Sequence, residues 1–346
     1  MLSLVLLVLF LIVLAVASQI KNKPFTIENN TEESPAQEEE VFEEDAQENK
    51  EKSLINGLAC EYPKQRPIAV TMAGDPEARP LSGISQADLV VEMPAVTGGI
   101  TRYLAFFACN KAEEIGSVRS ARHDFIPLAM GFDAIMAHWG GSHFALEKLN
   151  SGIMDNINAL YLENSVFYRK LGIAAPHNGF TSFARLENYS NQKGYRLINT
   201  FAGYQFLDKE EPVAAKGLLT IGYPSVFKVE YEYSSEKNEY LRFKGGSREM
   251  DKKTSAQVAA KNVVVMYAAS RQIEGQYNDM DIEGEGKAVV YQNGQEIVGR
   301  WSKDKSQLTS KLYFYKSSGE EIKFVPGQIW IQVVQLDQRV NWTTGF

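Results

Sequence analysis

Hydrophobic and polar positions follow two different patterns, and the change falls near residue 204. Before it, apolar runs alternate with amphipathic ones, which predicts strands at 67–72, 88–96, 100–109 and 134–138 and helices at 125–130, 144–149 and 183–192. Ser142 and Ser182 stand just before the last two helices, where N-cap residues are expected. Strands interleaved with short helices predict an α/β layered domain over residues 59–204.

After residue 204 the chain consists of short segments rich in β-branched and aromatic residues. These segments predict strands at 226–233, 240–243, 262–267, 288–291, 311–315 and 329–334. Turn sequences such as Asn293-Gly294 and Pro326-Gly327 separate them. We therefore expect a mainly β domain over residues 205–346, and an α+β fold for the whole chain.

The N-terminal residues have a pattern that no folded domain would show. Leu4 to Ala17 is an unbroken apolar run that ends in an Ala-x-Ala sequence before Ser18. This predicts a signal peptide or a membrane anchor over residues 1–17. Residues 18–58 are predicted to form an acidic disordered stalk, because few apolar residues interrupt their charges. The chain is thus expected to be extracytoplasmic and either membrane-anchored through this segment or secreted.

Charge is distributed unevenly between the predicted stalk and the rest of the chain. Residues 1–52 carry 11 of the 43 acidic residues and 4 of the 36 basic ones, so 32 of each remain in residues 53–346. The net charge of −7 therefore belongs to the N-terminal segment. A body without net positive charge gives no support to nucleic-acid binding.

The two cysteines, Cys60 and Cys109, are candidates for a disulfide. In exported chains a pair of cysteines is more often bonded than free. A zinc site is weakly supported, because there is no Cys-x-x-Cys motif and no histidine at ligand spacing from either residue. The sequence leaves a disulfide and two free thiols open.

Four polar clusters rich in Gly, Arg, Ser and His indicate a site built on loops. They lie at residues 98–103, 116–123, 138–143 and 175–179, and all four histidines of the chain fall in the last three. Arginine presents a planar fork of donors to a carboxylate or phosphate. Glycines at a strand-to-helix junction let an anion approach free backbone N–H groups. The residues predicted to bind an anionic ligand are Arg102, Arg119, Arg122, Gly140, Gly141, Ser142 and Asn178.

Candidate catalytic residues lie in or near the same clusters. His177 or His138 would act as acid or base, since imidazole titrates near neutral pH. Glu92 ends an apolar strand, where burial is expected to raise its pKa. The alternatives are that Arg119 and Arg122 brace a loop or a surface helix, that His143 and Glu147 form a solvated helix face, and that His123 lies at the surface. No cofactor and no metal is predicted.

Several motifs in order resemble the bacterial family of YerB-type lipoproteins, described as a domain of unknown function in two parts. The resemblance covers about residues 60–334 and is carried by residues 66–70, 78–83, 87–92, 98–102, 116–122, 138–142, 175–178, 284–288, 299–301 and 326–331. It implies an extracytoplasmic, membrane-associated protein and no particular reaction. Two departures are that no cysteine precedes Cys60 as a lipid-attachment site and that Thr97 replaces the family's acidic residue before the glycine pair.

Three functions fit these observations. The first is a cell-envelope factor whose Arg- and His-rich loops bind an anionic wall or glycan ligand, or an envelope protein. The second is a hydrolase or transferase on envelope polymers, with a histidine as acid or base and Glu92 or Asp133 as its partner. The third is a protein–protein scaffold whose interface uses the aromatic residues of the β half, namely Tyr223, Tyr231, Tyr233, Tyr267, Tyr277, Trp301 and Trp330. The chain has no Gly-x-Ser-x-Gly elbow, P-loop or Gly-x-Gly-x-x-Gly motif, which removes the common hydrolase, nucleotide and dinucleotide signatures.

Overall fold

Strands dominate the fold. The computed structural model describes residues 51–96 and 99–345. Within those ranges the α-helices are α1 (Phe125–Gly131), α2 (His143–Asn150) and α3 (Phe183–Gln192). In chain order the strands are β1 (Ile68–Ala73), β2 (Leu89–Pro94), β3 (Thr101–Phe107), β4 (Ile115–Gly116), β5 (Ile135–His138), β6 (Asn156–Asn158), β7 (Tyr168–Arg169), β8 (Gly179–Thr181), β9 (Gly217–Ile221), β10 (Val229–Ser234), β11 (Glu239–Lys244), β12 (Ser247–Arg248), β13 (Ala259–Ala260), β14 (Asn262–Ala268), β15 (Ser270–Glu274), β16 (Tyr277–Met280), β17 (Gly284–Gln292), β18 (Gln295–Lys303), β19 (Tyr313–Lys316), β20 (Ile329–Gln335) and β21 (Val340–Thr344). The chain is therefore α+β with few helices.

A ten-stranded mixed sheet runs through both halves of the sequence. Its order is β19-β18-β17-β14-β20-β2-β3-β1-β5-β6. The pairs β2–β20, β14–β20, β1–β5 and β5–β6 are parallel, and the other neighbours are antiparallel. Val90 of β2 lies opposite Trp330 of β20, so the halves meet in the middle of this sheet. The boundary expected at residue 204 does not separate two sheets.

A second sheet packs on one face of the first. Its order is β12-β11-β10-β9-β21, and β13 adds to β11. Positions along β10 alternate between buried and partly exposed, which is the two-residue period of a strand with one face on the core. Leu219 and Tyr240 of this sheet share one hydrophobic core with Val70 and Trp330 of the ten-stranded sheet.

The helices occupy both faces of the main sheet near β1 and β5. Phe183 and Leu186 of α3 join the core between the sheets, whereas Phe125 of α1 and Leu149 of α2 join a second core on the opposite face. The expected caps are confirmed. The Ser142 hydroxyl accepts a hydrogen bond from the Ala145 N–H at 3.2 Å, and the Ser182 hydroxyl accepts one from the Arg185 N–H at 3.3 Å.

Residues 53–58 belong to the folded body and not to the stalk. Ile55 is buried in a core, and Ser53 and Asn56 are buried beside it. The Ser53 N–H donates to the Leu58 carbonyl at 2.8 Å, which closes a turn. The prediction that the stalk reaches residue 58 is therefore wrong, because an apolar side chain there has a place in the core. The predicted signal peptide or anchor at 1–17 and the stalk residues up to 50 lie outside the described residues.

The aromatic residues of the β half serve mainly as core. The fully or almost fully buried ones are Tyr223, Tyr231, Tyr233, Trp301 and Trp330. Tyr267 and Tyr277 are partly buried. Five of the seven residues thus have a structural role, whereas Tyr267 and Tyr277 remain partly exposed, and the scaffold hypothesis stays a prediction. Of the helices in the described ranges, none is both long and apolar enough to cross a bilayer.

Candidate functional site

Three arginines lie together beyond the carboxyl end of β1. Arg102 is the second residue of β3 and lies opposite Ala73, the last residue of β1. The segment carrying Arg119 and Arg122 runs along the same edge, since the Arg119 N–H donates to Thr71 at 2.8 Å. Ligand sites of sheets with parallel strands commonly lie beyond such carboxyl ends. We call Arg102, Arg119 and Arg122 the arginine cluster.

The arginine cluster concentrates positive charge in a buried place. Arg102 is 3% exposed, and burial together with the charges of Arg122 and Arg119 lowers the pKa of Arg102 to about 9. Burial also lowers the pKa of Arg122, and the charge of Arg119 acts in the same direction. Asp75 partly offsets these charges. A bound anion would neutralise the positive charge that Asp75 leaves uncompensated.

The cluster also contains donors that the protein does not use. The Nε atoms of Arg102, Arg119 and Arg122 are buried, and none has a hydrogen-bond partner within the described protein. Other guanidinium nitrogens do have partners: Arg102 donates to the Ser120 carbonyl at 3.3 Å and Arg122 to that of Ala121 at 3.1 Å. Buried polar groups without partners are rare, and bound ligands are one of their explanations.

Acidic and imidazole groups stand at one side of the cluster. Asp75 follows β1 by two residues, and its Oδ2 lies 3.9 Å from Arg119 Nε. One ligand atom each from Asp75, Glu77 and His177 lie within 4.8 Å of one another. Of the histidines predicted to act as acid or base, His177 is therefore the one that the fold brings to the arginine cluster.

Two stacked side chains, Trp139 and Arg169, form a wall near Arg119. The Arg169 guanidinium lies 4.3 Å from the ring centre of Trp139 and donates to Asn178 Oδ1 at 2.8 Å. Asn178 thus orients Arg169, a role that the sequence did not predict for it. A small cavity of about 60 Å³ lies between this wall and Arg119, with room for a few water-sized groups.

His138 is a structural residue. Its side chain is fully buried, with Nδ1 2.7 Å from the Gly140 carbonyl oxygen and Nε2 3.2 Å from Asn156 Oδ1. Burial lowers its pKa, which favours the neutral ring. A neutral ring can donate to only one of these two oxygens, and its full burial gives His138 a structural role and does not support the predicted acid–base role.

The glycine junction is also used by the fold itself. The Gly140 N–H donates to Asn158 Oδ1 at 3.1 Å, and its carbonyl accepts from the Ala121 N–H at 2.9 Å. Gly140 has φ +63°, a left-handed conformation that favours glycine. Gly141 pairs with Ala121 in an isolated bridge, and Ser142 caps α2. These contacts hold the arginine-bearing segment in place and give Gly140 and Ser142 a structural role that the sequence did not predict.

Glu92 lies in a buried ionic network between the two sheets. Its Oε1 accepts from Lys244 Nζ at 2.5 Å and from the Thr101 hydroxyl at 2.6 Å, and its Oε2 accepts from Arg242 at 2.5 Å. Arg242 also donates to Glu249 at 2.6 Å. We call Glu92, Arg242, Lys244 and Glu249 the inter-sheet network. Its two acids balance its two bases.

The pKa expected for Glu92 is wrong in sign. Burial by itself raises the pKa of Glu92, but the charges of Lys244 and Arg242 outweigh burial and lower it to about 2. A carboxylate held ionised by two buried cations is not available as a general acid or base. Asp133, the other predicted partner, is paired with Arg196 at 2.6 Å and Arg66 at 3.5 Å.

Cys60 and Cys109 form a disulfide with a sequence separation of 49 residues. The Cys109 N–H donates to Asp88 Oδ2 at 3.1 Å, and the Asn56 amide donates to Asp88 Oδ1 at 2.5 Å. The disulfide and these bonds fasten the residues before β1 to the end of β3. The structure thereby decides between the two states that the sequence left open.

Several chemistry-bearing residues were missed from the sequence. Asp75 and Glu77 had a usable signal, because they directly follow a buried strand. Arg242 and Lys244 had none, since they alternate with apolar residues on an ordinary strand. His123 was expected at the surface, but its Nε2 lies 2.8 Å from Asp124 and 3.1 Å from Asp279, beside a cavity of about 460 Å³.

Fold and site together define a disulfide-bonded protein with a mixed sheet and a buried cationic edge. Residues 56–196 match the N-terminal domain, and residues 219–331 the C-terminal domain, of a family described as a protein of unknown function (DUF3048). The chain belongs to this family. It is 34% identical over 290 residues to "Putative lipoprotein YerB" of Bacillus subtilis, covering 82% of this chain and 86% of that protein.

The solved structures include a close likeness. The crystal structure of YerB protein from Bacillus subtilis matches with a TM-score of 0.76 and 33% identity, over 85% of this chain and all of that chain. The resemblance to YerB-type proteins that the motifs predicted is confirmed. The family description assigns no activity, so the function has to be argued from the site.

Proposed function

We propose that this protein is an extracytoplasmic, membrane-associated envelope protein that binds an anionic wall or glycan ligand at the arginine cluster. The observation that carries the proposal is the set of three buried Nε atoms that have no hydrogen-bond partner among the described residues, where Asp75 and Asp124 only partly offset the arginine charges. An anion with several oxygens supplies acceptors for these donors and neutralises the excess charge. Charge-assisted hydrogen bonds of this kind are the strong ones in proteins.

Location outside the cytoplasm is supported by two features of the chain. The Cys60–Cys109 disulfide is typical of proteins that fold in an oxidising compartment. The apolar run at residues 4–17 is typical of a segment that directs export or anchors a chain. The name of the Bacillus relative describes that protein as a lipoprotein, which agrees with a membrane-associated place for the family.

Ligand selectivity would depend on local charge and not on the field of the whole body. Residues 53–346 carry equal numbers of acidic and basic residues, so long-range attraction of anions is weak. A small anionic group that fits between Arg119 and the Trp139 wall is therefore favoured over an extended polyanion.

The test is a ligand screen by thermal unfolding of the full chain. Inorganic phosphate, a muropeptide and an anionic wall glycan would be compared, because a ligand that binds the native state alone raises its stability. We expect at least one of them to raise the unfolding temperature. Arg119→Ala should weaken its affinity roughly 10- to 100-fold, as expected for the loss of about 1.5–3 kcal/mol of charged hydrogen bonding.

Arg300→Ala is the matched control, because it removes the same charge from an exposed arginine on β18. Its affinity should equal that of the wild type. Equal affinities of the wild type and Arg119→Ala for every ligand that binds would refute the assignment of the site.

A further inference from the structure

Three side chains able to bind a cation stand directly against the arginine cluster. Asp75 and Glu77 come from the turn that follows β1, and His177 comes from the loop between β7 and β8. One ligand atom from each lies within 4.8 Å of the other two. Two separate parts of the chain thus bring two carboxylates and an imidazole to one point.

Two of these side chains have buried atoms that the protein leaves without hydrogen bonds. Asp75 is 7% exposed, and its Oδ2 has no hydrogen-bond partner within the described residues. Arg119 Nε, at 3.9 Å, is beyond hydrogen-bonding distance from it. Nδ1 of His177 is likewise buried and without a partner. A cation bound between them would satisfy both atoms.

The donor set indicates the kind of cation. Carboxylate oxygens with one imidazole nitrogen suit Mn²⁺ and similar divalent ions, whereas the soft metals prefer thiolates. Three protein ligands leave coordination positions open, as in metal sites that also bind a ligand. Such a site would lie next to the arginine cluster, because Asp75 Oδ2 is 3.9 Å from Arg119 Nε.

A divalent cation beside three guanidinium groups would be repelled unless an anion lies between them. A single carboxylate brings one charge and two oxygens, which one arginine fork can occupy by itself. A phosphate group brings up to two charges and more than two oxygens, so it can bridge a metal ion and several arginines at once. The arrangement therefore favours a tetrahedral oxyanion such as a phosphate group over a carboxylate.

We propose that Asp75, Glu77 and His177 form a divalent-cation site that is completed by a phosphate group held by the arginine cluster. The ligand class is then a phosphate ester or phosphodiester, such as the phosphate of a wall polymer or its carrier. This inference rests on the proposed anion site and names its ligand. It also requires that metal and phosphate each increase the affinity for the other, because binding couplings are reciprocal.

The test measures Mn²⁺ bound to the full chain by the loss of the free-ion signal in electron paramagnetic resonance. Titrations would be run with and without inorganic phosphate, and protein-free solutions would correct for Mn²⁺ bound by phosphate itself. We expect phosphate to tighten Mn²⁺ binding at least about tenfold, as an allosteric coupling of typical size would. Glu77→Gln and His177→Ala should remove the binding.

Two further variants separate the outcomes. His143→Ala removes an exposed histidine of α2 that pairs with Glu274 of β15, and it should leave Mn²⁺ binding unchanged. Loss of binding in His123→Ala, with His177→Ala unchanged, would place the metal at His123, Asp124 and Asp279 and overturn this proposal. Glu77 is exposed, so its replacement tests the site without disturbing a core.

The anion site and the metal site can fail separately. Phosphate binding that depends on Arg119 but does not change with Mn²⁺ would keep the anion site and overturn the metal site. Absence of phosphate binding with and without Mn²⁺ would overturn the phosphate-bridged metal site, whereas muropeptide or glycan binding that depends on Arg119 would still keep the anion site. The joint site would be supported if His177→Ala and Arg119→Ala each lost the binding of both Mn²⁺ and phosphate.

Discussion

The inter-sheet network and the arginine cluster are both built from buried charged residues. In the network these residues stabilise the fold, whereas in the cluster they are available to a ligand. The two groups start at neighbouring residues of β3, since Thr101 bonds to Glu92 of the network whereas Arg102 belongs to the cluster. Successive residues of a strand point to opposite faces, which keeps the two groups apart. In the network two acids meet two bases at 2.5–2.6 Å. In the cluster three bases stand near the carboxylates of Asp75 and Asp124, and the three Nε donors have no acceptor within the described part of the chain.

This difference shows how buried charged residues that stabilise the fold can be distinguished from buried charged residues that bind a ligand. A charge whose partners lie within the protein is part of the fold, and removing one partner leaves the other charge buried and unpaired. A buried charge without partners lowers the stability of the fold, and a bound ligand can restore that stability. Such charges are typical of functional sites. Each experiment below tests one side of this distinction.

The largest effect is expected from Glu92→Gln. The substitution leaves Arg242 and Lys244 buried with one acid between them, which should cost about 3–5 kcal/mol of unfolding free energy. Urea unfolding of both proteins at pH 7 measures it. Glu320→Gln, on an exposed pair with Lys316, is the control and should cost less than about 1 kcal/mol. Equal costs for the two variants would mean that the network does not hold the sheets together.

A smaller loss of unfolding free energy is expected when the pH is lowered and Glu92 is protonated. Protonation removes the charge of Glu92 but keeps the shape and the hydrogen-bonding capacity of its side chain. Its pKa is about 2 in the folded protein and 4.5 ordinarily. A lowered folded pKa adds stability above pH 4.5, and this part is lost as the pH falls from 4.5 toward 2. Urea unfolding across that window should therefore show a steeper loss for the wild type than for Glu92→Gln. Parallel curves would contradict the assignment.

The smallest effect on stability is expected from Arg119→Ala. The variant loses an ion pair at 3.9 Å but also relieves repulsion from Arg102 and Arg122, so the net change should be within about 1 kcal/mol. Urea unfolding without ligand measures it. A cost as large as that of Glu92→Gln would show that Arg119 braces its loop, the alternative that the sequence had left open.

Local features of the chain were readable in advance. Helix α3 was predicted with its observed bounds, because Ser182 caps it and its apolar residues follow a helical period. Ten of the 21 strands in the described ranges, such as β1, β14 and β20, were predicted within about four residues from their apolar runs, whereas the others, such as β9, β18 and β21, were not predicted. The arginine cluster was recognisable as residue types, since arginine next to glycine and serine in loops is typical of anion sites. Asp75 and Glu77 were overlooked although their position after β1 was informative.

The amino-acid sequence by itself determined the elements, the uneven charge, the family and the residue types of the candidate site. Those properties depend on residues close to one another along the chain, or on motifs compared directly. The tertiary structure alone decided which charges are paired. Glu92 accepts a hydrogen bond from Arg242, which lies 150 residues later in the sequence. The strand pair β2–β20 joins the two halves of the chain. Strand pairing of this kind depends on the packing of the whole chain, so no local pattern reveals that Glu92 is satisfied while the arginine cluster is not.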